Sequence, residues 1–239
     1  GSATVNANTG FITAIGSGTI TLTVTSAGDT DYFTASTSQE ITIGMTTPTL
    51  IVTSANTIVV DAVLTATITT TAGHDIGTLS YNITNGTGSA IVDPLGVISA
   101  ISAGDITLTV TSAGNSDYYS TIVDQLITIG MTTPTLTITS ANTISLGGSL
   151  RAITNTTATY DRGGAVTFSI TAGSGSATVD ANTGLINTIS AGTVTLTAMS
   201  AGDADYNSAT TSQLITIAKG TPTLTILSAN TMLVDGSLT

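Results

Sequence analysis

Apolar residues alternate with threonine over much of the chain. Ile20, Leu22 and Val24 are separated by threonines, and the same alternation recurs at 106–110 and 194–198. A period of two places alternate side chains on opposite faces of a β-strand, and β-branched residues favour strands over helices. The pattern therefore predicts strands with one buried face, and no helical period of useful length is present. An Ile-Thr-Ile triplet follows each of these segments, at 41–43, 127–129 and 215–217.

Three sequence markers recur with a period of about 87 residues, and self-similarity at a fixed period is typical of repeat architectures. They are Pro-Thr-Leu at Pro48, Pro134 and Pro222, Ser-Ala-(Thr/Ile)-Val at Ser2, Ser89 and Ser176, and Ser-Ala-Gly-(Asp/Asn)-x-Asp-Tyr with its tyrosine at Tyr32, Tyr118 and Tyr206. We predict complete repeats at 45–130 and 131–218, with the C-terminal part of another repeat at 1–44 and the N-terminal part of the next at 219–239. The sequence is expected to come from a longer array.

Each complete repeat is predicted to be a Greek-key β-sandwich of about seven strands. Turn-prone glycine, asparagine and aspartate separate most of the predicted strands. In the first complete repeat the strands are predicted near 49–53, 64–70, 79–84, 89–92, 96–100, 106–111 and 122–129.

Short linkers that end in proline join the repeats, at 44–48, 130–134 and 218–222. Such linkers restrict bending more than Gly/Ser chains do. Strands of up to about ten residues give each repeat a reach of roughly 35 Å. The array is therefore predicted to form an extended rod.

Composition narrows the classes of partner. The hydrophobic fraction of 41% and mean hydropathy of +0.44 indicate a folded chain. Only 7% of residues are charged, and 14 acidic against 3 basic residues give a formal charge of −11. This leaves no basic patch for nucleic acid or anionic lipid. There is no cysteine, and no apolar run reaches the roughly 18 residues of a membrane helix, so we predict no membrane insertion in this segment.

The strongest candidate for ligand chemistry is the loop Asp29-x-Asp31-Tyr32, which recurs at Asp203-x-Asp205-Tyr206. Two carboxylates and backbone carbonyls suit Ca²⁺, which prefers six to eight oxygen ligands. The alternative is that the aspartates accept hydrogen bonds from turn amides while the tyrosine fills the end of the sandwich. Asn115 replaces the first aspartate in the middle copy, and the linkers contain no aspartate. We therefore favour the structural role and assign no metal ligand and no cofactor.

No constellation of catalytic residues is predicted. His74, the only histidine, lies in a loop beside Asp75, and the aligned stretch of the next repeat reads Asp161-Arg162-Gly163. A catalytic base needs a nucleophile and an orienting group around it, so a solvated loop histidine is the favoured interpretation. Arg151 is expected at a solvent-facing strand position and Arg162 at a loop tip. We expect the chain not to be an enzyme.

Several segments resemble the bacterial immunoglobulin-like repeats, group 2 type, of giant surface adhesins. The matching stretches are 176–184 (SATVDANTG), 190–197 (SAGTVTLT) and 203–222, which contains Tyr-Asn-Ser-Ala and Lys-Gly-Thr-Pro. The chain departs from that pattern at Tyr81 and Phe168, where such domains often carry tryptophan. The resemblance implies immunoglobulin-like sandwiches in an extracellular bacterial adhesin or filament protein, of the kind used in biofilm attachment or gliding.

Two functions follow as expectations. The first is a structural stalk that extends a distal adhesive region from the cell, with neighbouring repeats of the same chain as its partners. The second is a carbohydrate- or protein-binding module that uses the loops 72–78 and 159–165, which differ most between repeats. Lateral pairing of sparsely charged strands is a further physical option, but the net charge of −11 opposes it.

Overall fold

The computed structural model of the chain describes residues 1–160, 163–226 and 234–235. Its regular elements are β-strands, and the chain falls into two compact units, Gly1–Thr132 and Thr133–Thr239. In the part of the chain that is described, no helix is long and apolar enough to cross a membrane. The predicted start of a further repeat at 219–239 lies largely outside the described residues, as do Asp161 and Arg162.

Thirteen strands form the first unit. They are β1 (Ser2–Val5), β2 (Ile12–Gly16), β3 (Gly18–Ser26), β4 (Ala35–Ile43), β5 (Leu50–Val52), β6 (Thr57–Val59), β7 (Val63–Thr65), β8 (Ile68–Thr70), β9 (Leu79–Asn85), β10 (Ser89–Val92), β11 (Val97–Ser102), β12 (Gly104–Ser112) and β13 (Thr121–Gly130).

Nine strands form the second unit. They are β14 (Leu136–Ile138), β15 (Thr143–Ser145), β16 (Ser149–Arg151), β17 (Thr154–Thr156), β18 (Val166–Ala172), β19 (Ser176–Val179), β20 (Leu185–Ser190), β21 (Gly192–Ser200) and β22 (Ala209–Ala218).

Strands β5 to β13 form an immunoglobulin-like Greek-key sandwich, as predicted. One sheet has the order β6-β13-β12-β9, and the facing layer contains β10-β11-β7 together with the pair β5-β8. The first edge strand changes layer, because β5 pairs antiparallel with β8 while β6 pairs parallel with β13. This division between two sheets is the arrangement of the immunoglobulin fold.

The count of about seven strands per sandwich needs correction, because β5 to β13 are nine. The single strand expected at 64–70 is divided into β7 and β8, since β7 pairs with β11 and β8 pairs with β5. At the division, the N–H of Ala66 donates to the carbonyl of Gly96 at 2.9 Å. Strand β6 was not predicted, because three residues are too short to display a period.

The predicted alternation sets the core of this sandwich. Ile106, Leu108 and Val110 on β12 are at most 1% exposed, and Ile98 and Ile127 are equally buried. The intervening threonines of β12 lie on the outer face of the sheet. Burial of large β-branched and leucine side chains is the main stabilising term of such a domain.

The second unit repeats this topology. Its sheets have the orders β15-β22-β21-β18 and β16-β20-β19, with the additional pair β14-β17. Ile186, Val194, Leu196 and Ile215 are completely buried in its core. Because the registers match, residues on the paired strands of the two sandwiches can be compared position by position.

Strands β1 to β4 form two hairpins in the first unit. They correspond in order to β10 to β13. Ile20 and Leu22 are half-buried and Val24 is 59% exposed, although their counterparts on β12 are buried.

Candidate functional site

The first residue of each Asp/Asn-x-Asp-Tyr loop closes its own turn. In every copy its side-chain Oδ1 accepts two backbone hydrogen bonds, from the residues two and three positions later. An asparagine carbonyl oxygen accepts as well as a carboxylate oxygen does, which explains why Asn115 replaces aspartate in the middle copy. The pairs of distances are 2.8 and 2.9 Å at Asp29, 2.8 and 3.0 Å at Asn115, and 2.8 and 2.9 Å at Asp203.

The tyrosine of the loop fills the end of the sandwich in both complete copies. Tyr118 is 8% exposed, and its Oη accepts a hydrogen bond of 3.1 Å from the N–H of Gly73. Tyr206 is completely buried, and its Oη accepts from the N–H groups of Thr159 and Tyr160, both at 3.1 Å. The tyrosine thus holds the facing loop, 72–78 or 159–165, on the sandwich.

The second aspartate of the middle loop, Asp117, reaches into the preceding part of the chain. Its Oδ1 accepts a hydrogen bond of 2.6 Å from the N–H of Ser17, in the turn between β2 and β3. The Ser17 hydroxyl donates to the carbonyl of Ser116 at 2.5 Å. Side chain and backbone of one loop therefore bind one turn that belongs to the predicted repeat at 1–44.

The linker between the same two segments is also paired. Thr46 forms an isolated parallel β-bridge with Tyr118. The N–H of Thr46 donates to the carbonyl of Asp117 at 3.2 Å, and the N–H of Tyr119 donates to the carbonyl of Thr46 at 3.0 Å. We call Ser17, Thr46, Asp117 and Tyr118 the joint. The sequence predicted that Pro48 limits bending of the linker, but it did not predict the pairing of Thr46 with Tyr118.

His74 lies against the joint. Its Nε2 is 3.9 Å from Oδ2 of Asp117, and its ring centroid lies 5.3 Å from that of Tyr118 with the planes tilted by 56°. The His74 side chain is 45% exposed, so it is half solvated, and it also covers the buried tyrosine. A small cavity of about 150 Å³ beside it is lined by residues including Ile15, Ile43 and His74.

The neighbouring turn residues have structural partners as well. Oδ1 of Asp75 accepts from the N–H of Gly77 at 3.0 Å, and the carbonyl of Asp75 accepts from the Asn115 amide at 2.5 Å. Arg151 is exposed on its strand, as predicted, and its Nε donates to the carbonyl of Thr183 at 3.1 Å. Across residues 1–160, 163–226 and 234–235, no three His, Cys, Asp or Glu side chains are grouped as a metal site.

Asp180 closes a second kind of turn, between β19 and β20. Oδ1 of Asp180 accepts from the N–H groups of Asn182 and Thr183 at 3.0 and 2.8 Å. The hydrogen bond from the Thr183 backbone, aided by its side chain and by the Asn182 amide, lowers the pKa of Asp180 below its ordinary value. At the equivalent turn of the first copy, Asn6 accepts from Asn8 and Thr9.

No protein-family model matches the chain, and no curated protein matches its sequence. Among solved structures, the chain is similar to fibronectin type III-like modules of CbhA from Clostridium thermocellum. That match has 10% identity and a TM-score of 0.30, and covers 72% of this chain and 95% of the other.

A second similar structure is the C-terminal 282-residue fragment of intimin, solved in complex with the intimin-binding domain of the translocated intimin receptor. Identity is 18% and the TM-score 0.29, with 73% of this chain and 64% of that fragment covered. Neither likeness places the chain in a family. The fold assignment rests on the strand orders and registers of the chain itself.

Proposed function

We propose that the chain is a stalk segment of a long bacterial cell-surface adhesin or filament, which extends a distal adhesive region from the cell. The observation that carries the proposal is the joint. Asp117 and Ser17 are hydrogen-bonded at 2.6 Å across two predicted repeats, and Thr46 of the linker pairs with Tyr118 between them. Hydrogen bonds on both the loop and the linker oppose bending at this point.

The use of the recurring loops supports the same function. Asp29, Asn115 and Asp203 make the same pair of hydrogen bonds in three successive copies. A residue that performs one structural task in every copy is expected in a spacer, in which each module needs only to fold and to attach to the next. The proposed location is extracellular, on the bacterial cell surface, with neighbouring repeats as partners.

A binding module that uses the loops 72–78 and 159–165 is the second candidate. In the first of these loops, the Gly73 amide is bonded to Tyr118 and His74 packs against the same ring. That loop therefore packs against the joint, which favours the stalk for this copy. The proposal assigns the chain no catalytic activity, and its charge of −11 makes nucleic acid an unsuitable partner.

Small-angle scattering on the full chain tests the stalk. Two complete repeats of strand-length reach predict a thin particle longer than about 70 Å, with the same maximum dimension in calcium and in chelator. The matched variant carries six Gly/Ser residues inserted between Gly44 and Met45. The insertion lengthens the chain between β4 and Thr46, which stays paired with Tyr118, so the variant should show a broader distribution of intramolecular distances.

A compact wild-type particle would contradict the stalk. A particle that is extended only in calcium would contradict the role assigned to the Asp-x-Asp loops. Binding of the chain to bacterial cells or polysaccharide, lost on exchange of the loops 72–78 and 159–165, would favour the second candidate.

A further inference from the structure

The sandwich of the second unit contains a cleft of about 340 Å³ at the end where the chain passes from β17 to β18. Its volume lies at the lower end of the range for small-molecule sites, about 300–1,000 Å³. Three apolar residues, three threonines and one asparagine line it. They are Leu136, Ala158 and Val166, then Thr154, Thr156 and Thr159, and Asn155.

The corresponding end of the first unit's sandwich is filled. There Leu50, Ile76 and Tyr118 are buried together, with Ile68 and Leu79 packed against them. Strand registers identify the counterparts in the second unit. Ile68 lies opposite Val52 on β5, as Thr154 lies opposite Ile138 on β14.

The loop counterpart of Ile76 is identified by a shared hydrogen bond. The hydroxyl of Ser112 donates to the carbonyl of Ile76, and the hydroxyl of Ser200 donates to the carbonyl of Gly163. Ile76 of the first sandwich is therefore replaced by a residue without a side chain, while the buried tyrosine is retained as Tyr206.

Five positions around this end change in the same direction, each toward a smaller or more polar side chain. Isolated core changes of this kind leave cavities that destabilise a domain. Two of the changed residues, Thr154 and Val166, line the cleft, while the core around Ile186 and Leu196 stays fully buried. The pairs are Ile68 and Thr154, Ile76 and Gly163, Leu79 and Val166, Val110 and Ala198, and Val123 and Thr211.

The lining chemistry defines the class of ligand. Each threonine hydroxyl both donates and accepts hydrogen bonds, and Leu136 and Ala158 offer an apolar surface beneath them. No charged residue is among the described residues that line the cleft. A ligand that presents hydroxyl groups at its rim, C–H groups on one face and no charge satisfies both surfaces. We infer that this cleft binds a neutral hexose residue of a glycan.

The test uses ¹³C-methyl NMR of the full chain, titrated with D-glucose, D-galactose and D-mannose. At least one of these sugars should shift the methyl signals of Thr154, Thr156, Ala158 and Val166, with saturation at a Kd on the order of millimolar. The filled sandwich of the same molecule supplies the internal control. The methyl signals of its residues Ile68 and Ala72 should not move.

Two variants separate binding from accidental solvent effects. Thr154→Ile with Val166→Leu and Ala198→Val restores the side chains of the first sandwich and should weaken hexose binding by at least about tenfold. Thr154→Val with Thr156→Val keeps the volume and removes two hydroxyls, and should weaken binding by a similar factor without filling the cleft.

Three results would overturn the inference. The first is the absence of saturable shifts with all three hexoses up to about 100 mM, well above the millimolar range expected of a small ligand. The second is equal binding by the wild type and by the hydroxyl-free variant. The third is binding of cyclohexanol but of no hexose, which would assign the cleft to apolar molecules.

Discussion

Asp117 accepts a hydrogen bond of 2.6 Å from the backbone N–H of Ser17, although the two residues are one hundred positions apart in the chain. The contact joins a loop at the end of one sandwich to a turn between two earlier strands. The side chain of Asp117 is 25% exposed, so the bond is partly shielded from water. Its acceptor is charged, and such hydrogen bonds are stronger than neutral ones.

Removal of this acceptor should loosen the joint. Asp117→Ala is expected to raise the hydrogen-exchange rate of the Ser17 amide by about tenfold, the factor for a partly solvated bond to a charged group. Asp31→Ala is the matched control, since Asp31 occupies the equivalent exposed position in the first copy. Unchanged protection of Ser17 in Asp117→Ala would show that the bond does not hold the turn.

The buried tyrosine hydroxyls provide a graded prediction. Tyr206→Phe leaves the Thr159 and Tyr160 amides without this acceptor, and should lower the free energy of unfolding by about 1–3 kcal/mol. Tyr118→Phe removes one such acceptor and should cost less. Urea unfolding measures both. Tyr32→Phe, at a residue that is 76% exposed, should have no measurable effect, and an equal loss in all three variants would contradict the assignment.

The first position of the recurring loop tests the acceptor that closes the turn. Asn115→Asp keeps Oδ1 as the acceptor for the Asp117 and Tyr118 amides but loses the amide that donates to the Asp75 carbonyl, so it should lower the melting temperature less than Asn115→Ala does. Asn115→Ala removes all three bonds and should destabilise the sandwich by about 1–3 kcal/mol. A stability change induced by calcium in Asn115→Asp, but not in the wild type, would instead identify a latent cation site.

The turn at Asp180 predicts a dependence on acidity. Because backbone hydrogen bonds lower the folded-state pKa of Asp180, its contribution to stability is present above the ordinary aspartate pKa of about 4. The contribution is lost as pH falls through the lower folded-state value. Asp180→Asn should retain the turn, as Asn6 does at the equivalent position. Between pH 5 and pH 2 this variant should lose less stability than the wild type, by the contribution of about one titrating carboxylate.

Melting temperatures of both proteins across that range provide the measurement. Parallel losses would show that other carboxylates dominate acid unfolding of the second unit.

Local patterning predicted most of the fold. Alternation at 106–110 placed Ile106, Leu108 and Val110 in the core, where each is at most 1% exposed. It could not predict the division at Ala66, because the partner of a strand is chosen by residues distant in sequence. The prediction for Asp-x-Asp-Tyr gave the turn and the buried tyrosine, since both are local to the loop.

The joint and the cleft depended on longer-range information. Ser17 carries no sequence signal that connects it to Asp117, although one hint existed. The second acidic position is aspartate in all three copies, at Asp31, Asp117 and Asp205, while the first position varies. The cleft was equally hidden, because the change from Ile76 to Gly163 is recognised only when the hydrogen bonds from Ser112 and Ser200 align the two loops.

The parallel pairing of β6 with β13 determines how this module responds to tension. Three rungs connect the strands, at Thr57–Thr128, Ile58–Ile129 and Val59–Gly130. The chain enters before β6 and leaves after β13, so a pull on the two ends slides these strands past each other. The three residue pairs are then loaded in shear, and their hydrogen bonds must break together. In a stalk of the proposed kind that is held in flow, each such module would resist unfolding through several hydrogen bonds at once.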